Sequence, residues 1–129
     1  MNITVWTKPK GIFTLTLGAI VLLSPSWFFG IFGLELDAAA EVVGRMYSGA
    51  FFLIGLGVLK VSGPENFDKN DALIAVVGDG VFFLVALAAQ LMGLMNTWGW
   101  FLVIAGFFSC AGFFWCYLQV KNYQGAASA

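Results

Sequence analysis

The run 72-ALIAVVGDGVFFLVALAAQLMG-93 decides the fold, because 22 residues pass with Asp79 as the only charge. A helix of that length rises roughly 33 Å at 1.5 Å per residue, enough to cross the ~30 Å hydrocarbon core of a bilayer. The run is apolar on every face, which a surface helix of a soluble domain is not. Working outward, residues 97–120 form a second such run after the short Leu94-Met95-Asn96 connection. A link that short forces its two helices to lie antiparallel.

Upstream, residues 60–70 hold Gly63-Pro64 and several charges and read as the one hydrophilic loop. Before it, residues 38–59 are apolar, with Asp37 placed to cap the helix and Glu41 in its first turn. The earliest run follows the Lys8-Pro9-Lys10 punctuation, starts at Gly11, is interrupted by Ser24-Pro25-Ser26 and reaches residue 31. Proline at a helix start after a serine able to cap suits either a short interfacial turn or a kinked extension. The expected fold is all-α: a polytopic membrane protein, one domain over residues 1–129, built as an antiparallel four-transmembrane-helix bundle. Its spans are about 11–31, 38–59, 72–93 and 97–120, with a short interfacial segment after the first.

The composition agrees. Of 129 residues, 60% are hydrophobic and only 10% charged, against about 25% charged in ordinary soluble domains. With no histidine, the chain supplies no imidazole to a haem, a metal or a catalytic dyad. A net charge of −1 without a basic block gives no footprint for nucleic acid. Cys110 and Cys116 are six apart in one apolar run, off-phase on a helix and too distant along its axis to bridge, so they read as inert thiols. The first run has no small-residue cleavage site and is expected to stay in the mature protein. Asn2-Ile3-Thr4 matches a glycosylation triplet that reads as chance so near the N-terminus.

Lys8, Lys10, Lys60, Lys69 and Lys121 fall on one side of this layout, and only Arg45 belongs to the other. The positive-inside rule then puts both termini on the cytoplasmic or equivalent side, of a bacterial inner membrane or an organellar one. Trp27, Trp98 and Trp100 would anchor the outer interface, and Trp6, Tyr117 and Tyr123 the inner one. The tail at 121–129 reads as polar and loosely held.

Two charges stand where lipid is expected. Arg45 lies inside the second span and Asp79 inside the third, and a lone charge at mid-membrane costs about 2.5–3.5 kcal/mol on insertion scales. The sharp reading is an Arg45–Asp79 ion pair between adjacent spans, flanking a ligand or proton site. The plainer one pairs Arg45 with Glu41 one turn away and leaves Asp79 neutral or wet. Gly78 and Gly80 around Asp79 suit close helix packing or a widened turn. Small residues four apart, as at Gly44–Ser48 and Gly106–Cys110, also suit close packing. Phenylalanine is in excess, 14 residues that include the adjacent pairs Phe51-Phe52, Phe82-Phe83, Phe107-Phe108 and Phe113-Phe114, and one ring of each can enter the bundle while the other meets lipid or a partner. Phe52, Phe83, Phe108 and Phe114 are the expected contacts to a partner or ligand. No cofactor of the chain's own is expected; a lipid, quinone, carotenoid or chlorin could be held only by stacking, without histidine ligation.

Pro25 with its aromatic-rich sequel and Phe32-Gly33-Leu34, then Arg45-Met46-Tyr47-Ser48-Gly49 and Gly55-Leu56-Gly57, resemble small four-helix bacterial membrane proteins of uncharacterised domain families and, more distantly, DoxX-like proteins. About 40 residues carry the resemblance. It implies a four-helix antiparallel bundle and association with membrane redox complexes, and supplies no catalytic residue. The expected role is therefore a non-catalytic accessory or scaffold subunit of a larger membrane complex, of respiratory or photosynthetic electron transfer. Its partners would be membrane lipids and other membrane subunits, with no nucleic acid. The alternative is a small oligomeric transporter or channel using Arg45 and Asp79. A lipid-modifying enzyme has no support from paired acids, metal ligands or an activated nucleophile, and no enzyme is expected.

Overall fold

A computed structural model describes residues 2–127. Five α-helices follow one another: α1 (Thr4–Leu23), α2 (Pro25–Ile31), α3 (Ala38–Leu59), α4 (Lys69–Leu91) and α5 (Gly99–Ala127), with a 3-10 turn at Pro64–Asn66. Among the described residues there is no strand. Helices α3, α4 and α5 are each long and apolar enough to cross a membrane, and α1 with α2 would add a fourth span if the pair is counted as one. The chain is an all-α, membrane-embedded protein.

The first span departs from its sequence reading at both ends. Helix α1 begins at Thr4, so Lys8, Pro9 and Lys10 lie inside it rather than before it. Asn2 starts the helix, its Oδ1 accepting the Thr4 N–H at 3.0 Å, which gives the supposed glycosylation triplet a structural use. Proline lacks an N–H, so Pro9 forgoes one helical hydrogen bond, and that loss is affordable near the start of a well-packed helix. At the other end, α1 stops at Leu23 and α2 leaves at 114° to it, so residues 11–31 are not one continuous rod.

Packing explains why α1 extends so far upstream. Its buried residues are Thr7, Gly11, Thr14, Gly18 and Val21, spaced four, three, four and three, the rhythm of a helix-packing seam. The seam lies on α3, and small residues let the backbones approach. A Cβ built on Gly11 would stand 3.1 Å from the Gly55 carbonyl oxygen, and one on Gly55 would stand 3.1 Å from the Gly11 carbonyl oxygen. Higher up, a Cβ on Gly18 would press on Phe51. Residue numbers rise on one helix as they fall on the other, so α1 and α3 are antiparallel. Helices α4 and α5 form a second antiparallel pair, with Gly106 against Phe82 and Phe83 and with the Cys110 thiol facing the Val76 carbonyl at 3.6 Å.

The two pairs meet at α1 and α5, while the backbones of α3 and α4 do not come together among the described residues. These contacts establish two antiparallel pairs and stop short of the α3–α4 seam that would close a four-helix bundle. Buried Ile3, Val58, Val61, Phe67, Ala72, Phe113, Cys116 and Val120 form the core at the end of the molecule where α1 begins and α5 finishes, here called the terminal end. Asn66 organises the loop beneath that core. Its Oδ1 accepts the N–H groups of Ser62 and Gly63 at 3.0 and 3.1 Å, and its Nδ2 donates to the Lys60 carbonyl. Helix α5 continues through Lys121 and Tyr123 to Ala127, so most of the expected loose tail is helical; residues 128–129 lie outside the described residues.

At the opposite end, Gly33 (φ +81°) and Gly93 (φ +72°) end α2 and α4 in the left-handed conformation that suits glycine. Asn96 ties those two turns together. Its backbone N–H donates to the Phe32 carbonyl at 2.8 Å and its Nδ2 to the Ile31 carbonyl at 2.9 Å, while its Oδ1 accepts the Trp98 N–H at 2.9 Å.

Candidate functional site

The polar centre of the molecule is built from three helices. Lys10 on α1 reaches Asp79 on α4, Nζ to Oδ2 3.3 Å. The hydroxyl of Ser109 on α5 donates to the same carboxylate oxygen. The Lys10 ammonium also lies 5.8 Å from the ring centre of Phe113, within cation–π range. Both charged side chains are largely covered, Lys10 at 15% exposure and Asp79 at 23%. Each therefore has a partner at a depth where an unpaired charge is unfavourable. One turn nearer the terminal end, the Trp6 ring lies over Gly112 and meets Phe113 edge-on at 6.5 Å.

Arg45 and Asp79 are not brought together. Arg45 contacts Glu41 at 3.8 Å on its own helix, and the Ser26 hydroxyl of α2 donates to the same Glu41 carboxylate. That cluster sits beside the α1–α2 bend, where Gly44 faces Pro25. Asp79 belongs to the α4–α5 pair and meets Lys10 and Ser109 instead. The sequence does not point to Lys10 as the partner, because Pro9 reads as the end of a tail that holds it. The signal that could have found it is the four-three seam starting at Thr7, which carries the helix through Pro9 and sets Lys10 three residues beyond Thr7. Lys8 was misplaced for the same reason; its ammonium donates to the Leu59 carbonyl at the C-terminus of α3, where a cation is favoured.

The flanking glycines differ in use. A Cβ on Gly80 would lie an ordinary 3.7 Å from the Cys110 sulfur, and one on Gly78 would meet nothing within 4 Å. No widened turn forms, because α4 is helical throughout. Of the phenylalanines expected to meet a partner, Phe108 and Phe114 are exposed, whereas Phe52 and Phe83 are half-buried. Phe83 lies 5.8 Å from Phe107, and Phe52 approaches Gly18. Trp27, Trp98 and Trp100 are all exposed at the Asn96 end. Trp27 and Trp98 share an apolar recess of about 290 Å³ with Phe28, Phe32 and Phe101. A second recess of about 310 Å³ lies between α1, α2 and α3, lined by Val21, Phe29, Val43 and Tyr47. Among the described residues, no three acidic or cysteine side chains gather as metal ligands. Buried Trp6 Nε1, Thr7 Oγ1 and Gln90 Oε1 have no hydrogen-bond partner among the described residues.

No protein-family model, no curated protein and no solved structure matches this chain.

Proposed function

We propose that the protein is a non-catalytic accessory or scaffold subunit that packs against other subunits of a membrane complex. One observation carries the reading: Gly49 and Gly57 on α3 and Gly78 on α4 face open space, with nothing within 4 Å of a Cβ built on any of them. Glycine inside a helix is about 1 kcal/mol less favourable than alanine. At Gly11, Gly18 and Gly55 close approach of a second helix offsets that penalty within the chain. At the three outward positions only a helix of another molecule would do so, and small residues are what membrane helices use to meet.

The polar groups support the same reading, because Lys10, Asp79 and Ser109 are spent on holding α1, α4 and α5 together. A transporter using Arg45 and Asp79 would need both along one path, whereas they belong to separate clusters. The resemblance to DoxX-like proteins points to assemblies of respiratory or photosynthetic electron transfer, with stacked lipid or a flat apolar molecule at the exposed rings. In this proposal the terminal end, with the lysine excess, faces the cytoplasm and the Trp27–Trp98 end faces outward. Mild-detergent native electrophoresis with mass spectrometry of the co-migrating band tests the proposal. Defined membrane subunits at fixed stoichiometry support it, and migration as a lone monomer or homo-oligomer overturns it.

A further inference from the structure

We infer that the outward face of α3 docks a transmembrane helix of another subunit, one that carries a carboxylate at the level of Arg45. This rests on the accessory-subunit reading and names the partner's chemistry. Arg45 is seven residues into α3, about 10 Å along the axis from Ala38. Its side chain is 48% exposed, unlike the covered Lys10 and Asp79. None of its five N–H groups makes a hydrogen bond among the described residues; the single charge contact, to Glu41, is at 3.8 Å. The other Glu41 oxygen is taken by Ser26 of α2, and the outer side of the guanidinium faces away from the chain.

An arginine does not lose its proton to escape such a setting. Intramembrane charges ordinarily face a protein interior and find a counter-charge there. Within this chain Arg45 meets only the Glu41 carboxylate, at 3.8 Å, and charge complementarity points to a closer second acid from outside it. The surface beside it has the shape of a helix seat. Val42, Met46, Gly49, Leu53 and Leu56 are spaced four, three, four and three, and the four with side chains are all exposed. That is the rhythm by which α1 packs on α3, here unfilled. Gly49, at the middle of the seam, leaves the backbone bare for close approach. A carboxylate on the incoming helix can then take the planar fork of Arg45 in a two-bond contact.

The test places a photo-crosslinking amino acid at Met46, and as a control at exposed Leu84 on α4, in the full chain in its native membrane. Cross-linked peptides are identified by mass spectrometry. The expected result is capture, from Met46, of one other membrane protein through an apolar span containing Asp or Glu. Arg45→Glu should lower that product about tenfold, the loss of one ion pair worth roughly 1.4 kcal/mol. Reversing the partner's acid to arginine should then restore it. Gly49→Leu, at a position where a Cβ meets nothing within 4 Å, should also lower the product and guards against misfolding of the charge variant. Capture of lipid alone, capture of a second copy, or a partner peptide without an acid overturns the inference, as does a product indifferent to Arg45→Glu. If native electrophoresis shows a complex but the partner cross-links only from Leu84, the α3 seat fails while the accessory reading stands. If the chain migrates alone, both fail.

Discussion

Two glycines on one helix make opposite demands, and exchanging each for alanine separates packing from propensity. Gly55 and Gly49 both lie in the interior of α3. A Cβ on Gly55 would sit 2.7 Å from Leu15 Cγ and 3.1 Å from the Gly11 carbonyl oxygen. Leu15 can rotate away, but the carbonyl belongs to the backbone of α1, so the helices must part along their shared seam. A Cβ on Gly49 would meet nothing within 4 Å. Both exchanges gain the same helix propensity, about 1 kcal/mol, so it cancels in the difference. What remains is overpacking at Gly55, typically about 1–3 kcal/mol. Gly49→Ala should therefore raise stability by up to about 1 kcal/mol, and Gly55→Ala should lie about 1–3 kcal/mol below it. The assay is unfolding of the purified chain from mild-detergent micelles by titration with dodecyl sulfate, followed by far-ultraviolet circular dichroism. If Gly55→Ala proves as stable as Gly49→Ala, the Gly11–Gly55 crossing is not where α1 and α3 meet.

Three other outcomes follow from the polar contacts. In the same assay Lys10→Asp or Asp79→Lys alone should cost roughly 1–3 kcal/mol, and the double exchange should recover much of it; an Arg45→Asp, Asp79→Arg double exchange should recover nothing. Asn96→Ala removes the side-chain bonds to Ile31 and Trp98, leaving the turn after α2 less well held. It should raise hydrogen exchange at Gly33 and Leu34 at about 1–2 kcal/mol of lost local stability, with the core near Phe113 unchanged. Thr7→Val should be neutral or stabilising by up to about 1 kcal/mol, because the Thr7 hydroxyl is fully buried with no partner among the described residues; a clear loss would show that the hydroxyl is bonded in the folded protein.

Much of the fold is legible in local signals. Asp37 accepts the Ala40 N–H at 2.7 Å, the capping role its position predicts, and α3 occupies residues 38–59. Gly93 stops α4 with its left-handed turn, two residues after the last apolar turn ends. The errors gather at proline. Pro9 reads as a boundary in a linear sequence, yet it lies inside α1 because the seam from Thr7 to Val21 rewards a longer helix by packing on α3. Pro25 reads as a start or a kink with equal justice, and only the Asn96 clamp on Ile31 and Phe32 shows where α2 goes.

The candidate site was half legible for a related reason. Asp79 and Arg45 stand out because charge is conspicuous in an apolar run. Ser109 and Lys10 do not, since a serine is common in membrane helices and a lysine near a chain end looks like an anchor. The choice of partner depends on which helix faces intrude on which, and that is a property of seams several residues long.

The sequence by itself determined the class of solvent, the three long apolar helices α3, α4 and α5, and the residues that could not be left alone there. Each helix satisfies its own backbone hydrogen bonds and each charge carries its own penalty in lipid, so these follow residue by residue. Only the tertiary structure decided that Asp79 meets Lys10 and Ser109, that Arg45 pairs with Glu41 on its own helix, and that the backbones of α3 and α4 do not come together among the described residues. Those outcomes depend on how closely two backbones can approach, and at Gly11 and Gly55 that distance is set by both helices at once.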